Sequence, residues 1–325
     1  VTDYQSIGVL VYLPCVIKLD SITEPALDQL RRIGNFLPDD ARSFIVHFRL
    51  HYQVFILSGG YLFASLFLDE LNAGMFWLQF INVAVLLFGT ATVYNSWHDK
   101  DEGPIGGLKN PPPMQPWMRK LALWMQFGGL LIAHYGGIEF TYLYLISMVF
   151  FWLYSTRRAR WKGHPIKSLI AIGVSTGTNS FWMGYFAAGG DQFSPEIIVA
   201  GIGTALVFLS LYPVSQIYQM RTDSVRGDRT FAIEFGIQGV KRFYTRSYYI
   251  GLLMAGIPLT ILNWPLGILF ILAGVLTGRI VGSKVGALKG DAAEYNDVMK
   301  TKYITSLLFV AFILAAMFTI HVLKG

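Results

Sequence analysis

"GMFWLQFINVAVLLFGTATVYNSWHDKDEG", residues 74–103, is the stretch whose reading decides the fold. From Gly74 to Tyr94 it carries no Asp, Glu, Lys or Arg. At about 1.5 Å per residue, a helix of this length crosses a hydrocarbon core about 30 Å thick. With no water in that core to satisfy the backbone, such a run must be helical. Oxygen-bearing and charged groups then arrive together: Asn95, Asp99, Lys100, Asp101 and Glu102. Asn95 and Asp99 are four residues apart and share a helix face if the helix continues that far.

Working outward, eight further apolar runs fall at 52–68, 121–135, 140–154, 168–188, 197–217, 248–262, 266–281 and 304–322. The chain has 325 residues, 54% hydrophobic and 14% charged, a balance outside the range of soluble globular domains. The expected fold is an all-α integral membrane bundle of nine transmembrane helices (49–325) behind an interfacial segment (1–48). Within that segment Thr23 to Pro25 signals a helix start, and Leu27, Leu30 and Ile33 follow at helical spacing, predicting an amphipathic helix on the membrane surface. The first residues, VTDYQ, lack an initiator Met and a secretory pattern, and read as a trimmed or incomplete start. A single cysteine, Cys15, excludes a disulfide framework and a cysteine zinc site, and neither His98 nor His164 has a second ligand at zinc spacing.

Of the 26 Lys and Arg residues, 25 fall in alternate loops, while DELNAG, YGGIE, AGGDQFSPE and LNWP have none. By the positive-inside rule the amino terminus and the long loops are cytoplasmic, with Gly325 on the opposite side. The net charge of +6 is therefore a feature of membrane orientation, and nucleic acid is not an expected partner.

A second polar cluster lies on the same face, in YPVSQIYQMRTDSVRGDRTFAIEFG, residues 212–236. Gln219 and Asp223 repeat the four-residue spacing, and Asp228 follows between Arg226 and Arg229. Two oxygen-rich helix ends over one cytoplasmic cavity suit a hard divalent cation such as Mg²⁺, which takes one or two carboxylates and completes its shell with phosphate oxygens and water. Basic residues of the neighbouring loops, Arg229 among them, would neutralise the remaining phosphate charge.

These stretches resemble the UbiA superfamily of intramembrane prenyltransferases. The family's N-D-x-x-D-x-x-x-D motif is met by NSWHDKDEG, with Asn95, Asp99 and the internal Asp101 kept, Ser96 in place of the second-position Asp, and Gly103 in place of the last. Its D-x-x-x-D motif resembles Gln219 to Asp223, the first Asp being Gln. YSTRRARWKGHP, residues 154–165, is similar to the family's basic loop after the fourth span, which puts forward Lys162 as a diphosphate ligand, with Arg158 and Arg160 behind it.

The resemblance implies a central cavity open to lipid, an isoprenyl diphosphate as donor, and a lipophilic, aromatic acceptor. It makes Asn95, Asp99 and Asp223 catalytic, sets Asn95, Asp99, Asp101, Gln219 and Asp223 as Mg²⁺ ligands, and leaves Asp101 or Glu102 to take the acceptor's proton; Asp228 reads either as a further Mg²⁺ ligand or as an internal partner of Arg226 or Arg229. A terpene cyclase, quenching the cation within its own chain, is the alternative. A transporter is a third class, but it calls for broken midplane segments, and no internal repeat is evident.

Overall fold

The computed structural model describes residues 38–100, 105, 106, 108 and 111–322; the predicted amphipathic helix at 23–33, and Asp101 and Glu102, lie outside them. Among the described residues the chain is helical, with one isolated bridge between Ile105 and Leu108. The helices are α1 (Asp39–Phe48), α2 (50–67, with a turn at Ser58), α3 (Ala73–Asp99), α4 (Pro116–Ala133), α5 (Ile138–Ser155) and α6 (165–188). They continue as α7 (Pro195–Val225), α8 (Phe231–Leu262), α9 (Trp264–Ala287) and α10 (Ala292–His321).

Each of the nine apolar runs falls in one of α2–α10, but only α3, α5, α7, α9 and α10 are, among the described residues, long and apolar enough by themselves to cross a membrane. The reasons are local. α4 opens with Arg119 and Lys120, α6 carries Ser175, Thr176 and Thr178 mid-helix, and α8 bears Lys241, Arg242 and Arg246 in its first half. α8 is also kinked at Gly236 (φ 63°) and contains Pro258. The outer faces of α9 and α10 are aliphatic, with Leu269, Leu272, Leu276 and Leu308 exposed, a surface that water penalises and lipid accepts. These faces and the apolar helices mark an integral membrane protein.

Two features place the site. α7 and α8 approach backbone to backbone at Gly203 and Gly251, where an added Cβ on Gly203 would stand 2.5 Å from the Ala255 nitrogen. Inside α3, the π-helical segment Asn82–Gly89 changes the winding before the last turns, so that Phe88, Ala91, Thr92, Asn95 and Asp99 all face one cavity. Pro213 has the corresponding effect in α7. It has no N–H to give, the helix tightens to 3₁₀ over Pro213–Gln219, and Tyr212, Gln216, Gln219 and Asp223 turn to the same cavity. The opposite end of the cavity is aromatic: Phe63 stacks on Phe270 (4.8 Å between centroids, 22° between planes), and Phe309 lies 5.9 Å from Phe63.

Candidate active site

α3 ends at Asp99 because Lys100 adopts a left-handed conformation (φ 50°) and returns its N–H to the Ser96 carbonyl. One turn back, Asn95 Oδ1 accepts from Ser155 Oγ at 3.1 Å. Asp99 is ion-paired with Lys162, and both side chains are largely buried. Lys162 stands in a 3₁₀ turn, Trp161–Gly163, between α5 and α6, introduced by Arg160 in the left-handed region (φ 41°). Burial lowers its ammonium to about 8; Arg226 and Arg49 push the same way, and Asp228 and Asp223 oppose them.

The same loop is bound to the one after α7. Arg160 grips Asp228 with both ends of its fork, Nε to Oδ1 at 2.6 Å and Nη2 to Oδ2 at 2.7 Å. The Arg229 backbone N–H donates to the Gly163 carbonyl at 2.9 Å. Gly163 is where the two loops touch: any Cβ there would collide with Asp228 Oδ1.

A cavity of about 580 Å³ joins these groups to the aromatic end. Of the residues expected from the sequence, Asn95, Asp99, Lys162, Gln219, Asp223 and Asp228 line it. Arg160 stands behind Asp228 rather than in the wall. Arg158 is exposed and outside the lining, and Arg229 turns outward, 73% exposed and paired with Glu234 at 2.7 Å. Asp101 and Glu102 lie outside the described residues.

Three cations in the lining were not expected there: Arg49, Arg226 and Lys302. Arg49 is buried at the start of α2 with φ 50°, donating from Nη2 to Ser96 Oγ at 2.6 Å and from Nη1 to the Gly106 carbonyl at 3.1 Å. Ser96 is the position where a carboxylate was anticipated, and its hydroxyl serves Arg49 as an acceptor. Tyr154 and Tyr212, hydrogen-bonded at 3.1 Å, form another part of the wall. Tyr154 and Ser155 open the YSTRRARWKGHP stretch and Tyr212 opens YPVSQIYQ, both singled out in the sequence, whereas Arg49 and Lys302 read there as ordinary orienting charges.

Among the described residues, Arg49, Lys162, Arg226 and Lys302 are set against Asp99, Asp223 and Asp228, so that the described lining carries more positive than negative groups. Among the described residues no three His, Cys, Asp or Glu side chains converge closely enough to hold a metal ion unaided. The wall is thus built to receive an anion, and any cation bound with it would draw oxygens from that anion.

The helical arrangement matches solved structures over most of the chain. A UbiA homolog from Archaeoglobus fulgidus bound to GPP and Mg²⁺ aligns with a TM-score of 0.66 at 15% identity, covering 85% of this chain and 99% of that one. The same homolog bound to DMAPP and Mg²⁺ gives 0.65 at 16% identity, with 85% and 99% covered. A digeranylgeranylglyceryl phosphate synthase gives 0.56 at 18%, covering 86% and 99%. At such identities the likeness is one of fold. No curated protein matches the chain in sequence. The UbiA prenyltransferase family, however, matches residues 54–291, nearly three quarters of the chain, and the protein belongs to that family.

Proposed function

We propose that the protein is a magnesium-dependent intramembrane prenyltransferase that ionises an isoprenyl diphosphate and transfers the prenyl group to a lipophilic, aromatic acceptor. The observation that carries this reading is a single cavity with a charged rim at one end and an aromatic floor at the other, matching a diphosphate head and a hydrocarbon tail. On this reading α2–α10 all cross the bilayer, with the rim and the amino terminus cytoplasmic.

The oxygens of Asn95, Asp99, Gln219 and Asp223 fit a hard cation whose remaining ligands come from the diphosphate, and these residues would hold Mg²⁺. When bound, the ion supplies Lewis-acid stabilisation of the charge gathering on the departing diphosphate. Lys162, ion-paired with Asp99, would give that contact up for a phosphate oxygen, and the Asp99 carboxylate would then be free to help hold Mg²⁺. Arg226 and Arg49 add fixed positive charge at the same rim, where low dielectric magnifies it. Below them Phe88, Phe151 and Phe63 exclude water from the allylic cation, and their faces attract it by about 0.5 to 2 kcal/mol per ring. Asp101 or Glu102, directly after α3, takes the proton that an aromatic acceptor loses.

The test is incubation of purified protein with allylic diphosphates of several lengths and Mg²⁺, with and without phenolic acceptors. A prenylated arene and diphosphate release that both disappear in Asp99→Ala and Asp223→Ala are the expected outcome. Release that survives both substitutions removes the site from consideration. A cyclic hydrocarbon or alcohol formed from donor alone replaces transfer by cyclisation.

A further inference from the structure

α8 carries a basic pair on the face turned away from the cavity. Tyr248 and Leu252 line that cavity, whereas Arg246 and Ile250, two residues to either side of Tyr248 and so nearly opposite it on the helix, line a separate groove of about 410 Å³. Among the described residues the groove and the cavity share no lining residue, and the thickness of α8, about 10 Å with its side chains, stands between them. The wall of the groove is largely apolar. Phe231 packs against Phe235 and Phe243, with ring centroids 4.5 and 4.9 Å away, and Leu206 of α7 joins them.

Arg242 and Arg246, one turn apart and both exposed, supply the charge of the groove. Arg242 Nε donates to the Gln238 carbonyl of its own helix at 3.3 Å, a contact that leaves both Nη groups to other partners. Among the described residues no carboxylate pairs with either arginine and none lines the groove; the nearest in sequence, Glu234, is held by Arg229. Ser247, the other polar side chain of the wall, gives its hydroxyl to the Phe243 carbonyl. From the arginines the outer face of α8 continues as one stripe: Arg242, Arg246, Ile250, Leu253, Ile257 and Ile261 follow at intervals of three or four residues, and all are exposed. The aliphatic part, Ile250 to Ile261, runs about 16 Å at 1.5 Å per residue, which is about half of a hydrocarbon core about 30 Å thick. The stripe therefore has the depth of one leaflet, with its two cations at the headgroup end.

We infer that this groove is a binding site for an anionic glycerophospholipid, with the lipid phosphate between the Arg242 and Arg246 guanidiniums and one acyl chain along Ile250, Leu253, Ile257 and Ile261. A phosphodiester that carries a net negative charge suits two guanidiniums, while a phosphatidylcholine brings a quaternary ammonium that they repel. An ordinary orienting charge needs only water above it, whereas these two are set in a walled groove and lead onto an aliphatic track of leaflet depth. The site lies beyond the prenyltransferase reading and does not depend on it; it requires only that the outer face of α8 meet lipid.

The test is native mass spectrometry of the purified full chain offered equal amounts of phosphatidylglycerol and phosphatidylcholine with identical acyl chains, with thermal melts in nanodiscs of each lipid. The wild-type protein retains phosphatidylglycerol in preference and melts at a higher temperature in it. An arginine beside a lipid phosphate is worth about fivefold in affinity, so Arg242→Gln and Arg246→Gln each lower the preference about fivefold and the double variant lowers it about 30-fold. The melting difference between the two lipids shrinks with it. Arg279→Gln, which removes an exposed cation of α9 outside the groove, leaves the preference unchanged. Equal retention of the two lipids by the wild-type protein overturns the inference, with no variant needed. So does a loss in Arg279→Gln as large as that in either groove variant, which would make the preference a general property of the basic surface. Displacement of the lipid by millimolar inorganic phosphate or by a non-reactive thiodiphosphate donor analogue, or a dimer found in place of the lipid adduct, assigns the groove to another occupant and overturns it as well.

Discussion

Lys162 makes the site sensitive to pH in a direction that can be worked out. Burial places its ammonium at about 8 in place of 10.5, and only the charged form can hold a phosphate oxygen. At pH 7 and below, a unit or more under its pKa, the lysine is nearly all protonated and donor affinity is close to full. At pH 8 half the molecules carry the charge, and at pH 9 about one in eleven does, so the apparent affinity for a donor analogue falls about tenfold between pH 7 and pH 9. Stability moves the other way. The folded-state value lies below the unfolded one, so between about 8 and 10.5 the unfolded chain holds a proton that the folded chain has lost, and folding becomes more favourable as pH rises through that window. Loss of affinity on the alkaline side is therefore not a symptom of unfolding. The assay is equilibrium binding of a thiodiphosphate analogue from pH 6.5 to 9.5, with thermal melts at each pH. Lys162→Arg, whose guanidinium stays charged throughout, is expected to bind with no fall between pH 7 and pH 9. Parallel decline of wild-type and Lys162→Arg proteins would refute the assignment of the titrating group to Lys162.

The Arg160–Asp228 pair makes a second prediction. Asp228→Asn and Arg160→Met each lower stability by about 3 kcal/mol, and the double variant loses little more than either alone, because each single change strands a largely buried charge; thermal melts of the four proteins measure the coupling. The apolar part of the cavity makes a third: Ala273 lines it, and Ala273→Phe removes space for the tail, shifting the preferred donor to a shorter chain in competition assays with mixed allylic diphosphates.

The parts of the site that were legible in the sequence are those written within one helix. Asn95 and Asp99, and likewise Gln219 and Asp223, are one turn apart at the end of an apolar run, so spacing alone puts each pair on a face and at a membrane surface. What was not legible depends on how separate elements meet. Arg158, Arg160 and Lys162 are equivalent as a basic run; only the turn at Arg160 sends Lys162 inward, Arg160 onto Asp228, and Arg158 to the surface. Arg49 and Lys302 are brought to the cavity by packing of α2 and α10 against the bundle, and in the sequence the rule that explains loop charges explained them as well. The π-helical segment of α3 has no local signature, yet it decides which residues of the last turns face in. α1, too, was not anticipated; its Asp39–Asp40 start and buried Phe44 and Phe48 follow helical periodicity only over a short span.

The junction of the two cytoplasmic loops has a consequence for how quickly a substrate can be used. Lys162 and Asp223 come from segments some sixty residues apart, and the Gly163 contact with the fork of Arg160 on Asp228 makes them one body before any ligand arrives. The entropy of arranging the clamp is lost once, when the chain folds, and does not recur at each encounter. An arriving diphosphate thus meets a preorganised receptor, and its binding free energy is left for the separation of charge that breaks the carbon–oxygen bond.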